Sequence, residues 1–152
     1  MNQGRPKAAV KDALRGVLLF FRSFVRSIKE FMKTKKTVVV GASPDANRYS
    51  YRAVTALRRQ GYDVTAVGLK PGTIGDIPIH TDLIPVDQVD TVTLYVHPRN
   101  QQHWMDYIMT LNPRRVVFNP GTENPEFFKK LRAEGIDAEE SCTLVMLSVG
   151  TY

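Results

Sequence analysis

The sequence predicts an α/β protein, a parallel sheet covered by helices on both faces, preceded by a separate amphipathic helix. Three observations carry this reading. From residue 37 onward, short β-branched runs alternate with stretches of helical periodicity. Gly61, Pro113, Asn124-Pro125 and Gly135 punctuate the joints between them. Before residue 34, apolar side chains recur at alternating spacings of four and three within a strongly basic segment. Strand-helix-strand units of this kind cross over right-handed, so the expected fold is a Rossmann-like, doubly wound sheet of about five strands.

The elements follow in order. Val10, Leu14, Val17, Phe21, Phe24, Ile28 and Phe31 share one face of the first helix, which Leu18 and Val25 widen. Lys11, Arg15, Arg22, Arg26 and Lys29 decorate the other side. Thr37 to Val40 suits a strand buried on both faces. Ser50 to Gln60 is helical, with Gly61 as its stop. Asp63 to Val67 is the second strand; Pro71-Gly72 and Gly75 predict a loop, and Pro85 a short helical turn. Thr91 to Val96 is the third strand, Asn100 to Leu111 a helix ended by Pro113, and Val116 to Phe118 the fourth strand. Asn124 caps a helix that Pro125 opens. Ile136 to Glu139 is a fifth strand, and Cys142 to Leu147 a last turn.

The chain has 152 residues, enough for one domain with a real core. Two parts are expected: a basic extension over 1–33 and the α/β domain over 34–152. Residues 1–36 hold ten Lys or Arg against two acids, whereas the remainder holds eleven against thirteen. The net charge of +6 therefore belongs to the N-terminal segment, which removes the support for nucleic-acid binding by the main body. The basic helix has three readings: a dispensable extension ahead of Met32, a packing or homo-oligomer contact, or a membrane-surface element over residues 10–31. No run reaches the roughly 18 apolar residues of a spanning helix. A single cysteine makes no intramolecular disulfide, and a cytoplasmic location is expected.

Ligands of such sheets bind at the carboxyl ends of the strands. The first turn there is Gly41-Ala42-Ser43-Pro44, where Gly41 allows close backbone approach and small neighbours keep space open. Backbone amides, a helix N-terminus and the Ser43 hydroxyl favour an anion, with Arg48, Ser50 and Arg52 a few residues on. The turn is not G-x-G-x-x-G. The second strand runs out in Gly68-Leu69-Lys70, without the carboxylate that binds ribose hydroxyls in nicotinamide enzymes. A lysine there suits a phosphorylated ribose, as found in NADP and in coenzyme A.

Gly41-Ala42-Ser43-Pro44, Arg48 and Ser50-Tyr51-Arg52, with Thr93 to Pro98, Phe118 to Glu123 and Cys142, make the chain resemble the CoA-binding domain family of small stand-alone bacterial proteins, the YccU-like group. The resemblance covers residues 34–152 and implies a Rossmann-like fold similar to the CoA-binding domain of succinyl-CoA synthetase. It implies that Gly41, Ala42 and Ser43 face the pyrophosphate, that Arg48 and Ser50 contact phosphate, and that Gly68, Leu69 and Lys70 border the adenosine. Pro44, Val96, His97, Pro98, Asn119 and Gly121 complete the implied cofactor-binding set. The chain departs from the pattern at Gly68-Leu69, where many members carry Asn-Pro, and at Asn119-Pro120-Gly121, where many carry Gln-Gly.

No catalytic residue is assigned. His80, His97 and His103 lack metal-site spacing, and His97, at the ligand edge, has no identified acid-base partner. Cys142 reads either as an inert small residue or as a redox thiol near the pantetheine end of CoA, able to form a mixed disulfide. The expected function is binding of coenzyme A or an acyl-CoA as carrier, sensor or binding subunit. The alternatives are an NADP-dependent oxidoreductase and a membrane-associated or interaction module with a vestigial pocket.

Overall fold

The computed structural model describes residues 6–152. Residues 1–5 of the expected extension, and the Lys29 and Phe31 side chains assigned to its two faces, lie outside the described residues. The chain divides between Lys33 and Thr34 into two compact units. All but the last residue of helix α1 (Pro6–Thr34) belongs to the first unit, and its 29 residues extend about 43 Å at the usual rise per residue.

The second unit is an α/β domain with a seven-stranded sheet. Its strands are β1 (Lys36–Val40), β2 (Asp63–Val67), β3 (Gly72–Ile74), β4 (Ile77–His80), β5 (Val89–Leu94), β6 (Arg115–Phe118) and β7 (Asp137–Glu140). The spatial order is β3-β4-β2-β1-β5-β6-β7, parallel throughout except for the antiparallel β3–β4 pair. Helices α2 (Tyr49–Arg59), α3 (Gln102–Leu111), α4 (Pro125–Ala133) and α5 (Thr143–Val149) cover the sheet.

Strand alternation explains the two covering layers. Val38 and Val40 face one core with Trp104, Ile108, Phe127 and Leu131 of α3 and α4. Val39, between them and equally buried, belongs to the opposite face. There α2 packs on β2 and touches α5, burying Ala53, Val54 and Leu57. The helix ends follow local chemistry. Asn124 Oδ1 accepts from Phe127 N at 3.1 Å with Pro125 in the first turn, and Asn112 closes α3 in a left-handed conformation just before Pro113.

Two expectations fail. The stretch read as a loop around Pro71-Gly72 and Gly75 is the β3–β4 hairpin, which raises the strand count from five to seven. Its strands are too short, and too interrupted by Pro78, to show alternation. Their order comes from pairing with β2 and from burial of Ile74 and Ile79. Asp76 at the tip holds Arg58 of α2 through bonds of 2.8 to 3.2 Å. Pro85 opens no helical turn. The 81–88 segment crosses back toward β5 in irregular conformation, pinned where Tyr107 Oη donates to Ile84 O at 2.8 Å.

The chain leaves β1 toward β2 on one side and returns to β5 on the other. The reversal of strand order therefore falls at the carboxyl ends of β1 and β5, where a crevice opens in folds of this class.

Candidate functional site

Two walls meet at that crevice. The first is the turn after β1. Gly41 takes a φ of +89°, and a Cβ there would meet Tyr95 O at 2.7 Å and Val96 Cγ2 at 2.8 Å. Gly68, just past β2, admits no Cβ either, because one would collide with Ala42 O. Glycine at these two positions lets three strand ends converge. The Gly41 and Ala42 amides both donate to Val67 O at 3.0 Å. These two amides are thus engaged within the fold and not free to meet an anion. The helix behind it offers an alternative. Arg48, the N-cap of α2, gives no side-chain cap, so the first-turn amides have no partner from that residue.

The second wall is built by buried side-chain amides. Gln101, fully buried, donates from Nε2 to Val96 O at 2.9 Å and Thr122 O at 2.6 Å, and its Oε1 accepts from Asn124 Nδ2 at 2.9 Å. It thereby clamps the loop after β5 to the loop after β6. Asn119 makes a second clamp, donating to Thr93 Oγ1 at 2.7 Å and Leu94 O at 3.0 Å while accepting from Thr143 N at 2.9 Å.

The cleft between the walls has a volume of about 830 Å³, a size typical of small-molecule sites. It brings together ten of the sequence-named residues: Gly41, Ala42, Ser43, Arg48, Ser50, Leu69, Lys70, Val96, His97 and Gly121. Pro44, Gly68, Pro98, Asn119 and Cys142 do not line it. Gly68 stands behind the turn, Asn119 is occupied within the sheet, and Pro98 opens a single turn of 3-10 helix. His97 caps that turn, its Nδ1 accepting weakly from Arg99 N at 3.4 Å. Cys142 is half-buried at the N-cap of α5.

Of the segment after β5, sequence reasoning named Val96 and His97 but missed the rest. Tyr95, Arg99, Asn100, Gln102, His103 and Trp104 line the cleft, as does Tyr49. The expected third strand ran to Val96, but β5 ends at Leu94 and the chain turns there. The signal was available: Pro98 so soon after a strand forces a loop at the ligand edge, and the following helix must begin beside it.

Arg48, Lys70 and Arg99 stand on the cleft walls, and no carboxylate lines them. Asp45, outside the lining, pairs with Arg48 at 3.9 Å, both well exposed. The charge suits a polyanion. Beneath this rim the Tyr95 hydroxyl is buried without a hydrogen-bond partner. Burial pushes its pKa up; Thr93 and Thr143 temper the shift, but their hydroxyls bond each other at 2.7 Å. Among the described residues, no three His, Cys, Asp or Glu side chains gather as a metal site.

The family model described as "CoA binding domain" matches residues 35–148. The chain belongs to the CoA-binding domain family. Its span takes in the whole sheet and both walls of the cleft, leaving α1 outside. A crystal structure described as an uncharacterized protein is 46% identical, with 78% of this chain and 98% of that chain covered at a TM-score of 0.76. A Thermus thermophilus structure at 21% identity covers 86% of this chain and 98% of its own, with a TM-score of 0.69. A hypothetical protein from Pyrococcus horikoshii at 24% covers 84% and 89%, with a TM-score of 0.68. These last two show the shared fold. No curated protein matches.

Proposed function

We propose that the cleft holds coenzyme A or an acyl-CoA, and that the protein carries, senses or presents this ligand without chemistry of its own. The observation that carries the reading is the cationic cleft at the strand-order reversal of a CoA-binding family domain, lined by Arg48, Lys70 and Arg99 and by no carboxylate. The phosphates would lie along the α2 N-terminus and the Arg48 and Ser50 side chains. Lys70 would meet the 3′-phosphate of the ribose. His97, the histidine named at the ligand edge, caps a turn, and the reading assigns it no chemical step. Cys142, outside the cleft lining, is given no part.

Calorimetry on the full chain with CoA, dephospho-CoA, NADP and NAD tests this. Saturable CoA binding, weakened roughly tenfold or more by loss of the 3′-phosphate, is the expected result. Preference for NADP would move the assignment to an oxidoreductase, since Lys70 suits a 2′-phosphate equally well. Trp104, the single tryptophan, lines the cleft and gives a second readout through its emission.

A further inference from the structure

Helix α1 has a composition and geometry that CoA binding does not use. Its apolar side chains stand exposed: Phe20 is 73% accessible, and Val17, Phe21 and Phe24 are similarly open. At about 100° per residue, the side chains from Phe20 round to Leu18 cover an arc of about 160°. Lys11, Arg15, Arg22 and Arg26 fall along one border of that arc, while Asp12 lies beyond them. Small residues, Gly16, Ser23 and Ser27, fill the other border.

Two candidate occupants for such a face have different requirements. A two-stranded coiled coil wants a narrow seam with complementary charges beside it. Here the seam of Val10, Leu14, Val17, Phe21, Phe24 and Ile28 is flanked by Leu18, Val25, Ala13, Phe20 and Ser27, with Lys11 as its one charge. No opposite-charge pairing is available to fix a partner helix. A bilayer interface wants a broad apolar face, cations at its margin and too little total hydrophobicity to span. Among the described residues no helix is long and apolar enough to cross a membrane. Residues 1–36 carry ten of the 21 basic residues with two acids, and the rest of the chain is mildly acidic. Attraction to negative charge is thus concentrated on this helix.

We infer that α1 is an in-plane anchor for anionic lipid bilayers, inserting its phenylalanine-rich face while its lysines and arginines meet the headgroups. The inference is independent of the CoA reading.

Co-sedimentation of the full chain with vesicles tests it. Vesicles of phosphatidylcholine with about 30% phosphatidylglycerol should bind the protein at least tenfold more tightly than phosphatidylcholine alone, and less so at high salt. The double substitution Phe21→Glu/Phe24→Glu should lower partitioning roughly tenfold or more. Leu19→Gln, an uncharged change on the polar side of the same helix, should alter it by less than about twofold, with helix content unchanged by circular dichroism. Three results would overturn the inference: no binding to anionic vesicles, equal binding by the double variant, or a helix-mediated oligomer that leaves vesicles unbound.

Discussion

The two walls of the cleft are made by different means. The wall after β1 and β2 is a backbone construction: Gly41 and Gly68 are there because a Cβ would strike Tyr95 O or Ala42 O. The wall after β5 and β6 is a side-chain construction, with Gln101 and Asn119 clamping loops far apart in sequence. A backbone wall fails by collision, a clamped wall by leaving buried polar groups unpaired. The difference yields an ordered set of perturbations.

The largest effect should come from Gly41→Ala. Combining positive φ with a 2.7 Å contact, it should cost about 3 kcal/mol or more and abolish CoA binding, measured by urea unfolding and calorimetry. Next comes Gln101→Leu, which strands Val96 O, Thr122 O and the Asn124 amide. A loss of about 2–3 kcal/mol is expected, with CoA affinity falling as the second wall loosens. If Gln101→Leu were neutral, the clamp would have no energetic meaning.

This contrast also explains what the sequence revealed. The Gly41 turn, the strand before it and the Asn124-Pro125 helix start are local devices, so they are readable one residue after another. The ten named residues that reach the cleft come mainly from segments flanking such devices. Gln101 looks like any surface glutamine until its partners arrive from 5, 21 and 23 residues away. Asn119 enters the expected cofactor-binding set through the family resemblance, while the direction of its side chain is set by Thr93 and Thr143 across the sheet. The β3–β4 hairpin escaped for a related reason: strands of three and four residues take their order from β2 rather than from their own pattern.

Smaller effects separate charge from architecture. Arg48→Ala and Lys70→Ala, both on the rim, should leave stability within about 0.5 kcal/mol while weakening CoA roughly tenfold each, read by calorimetry. At the opposite ends of the strands, Tyr152 is buried against Tyr62 and Arg115 and shares a hydrogen bond with Thr37 at 3.1 Å. Burial holds its pKa up to about 12 from 10.0, with the Thr37 bond opposing. The folded chain keeps a proton that the unfolded chain releases first, so stability is complete below pH 10.0 and declines through about 12. Urea midpoints across that range should fall, and Tyr152→Phe should flatten the fall. Least of all, Tyr95→Phe removes an unpartnered hydroxyl and should leave stability unchanged or raise it by about 1 kcal/mol, seen as a small upward shift in Tm.

The central claim is that one ligand sits between the two walls. Its most direct test is the backbone amide spectrum of the ¹⁵N-labelled full chain titrated with CoA. The largest shifts are expected at Ser43, at Tyr49 to Tyr51, at Lys70 and at Gly121-Thr122, saturating together. Shifts confined to other surfaces, or none under conditions that saturate the chain, would contradict it.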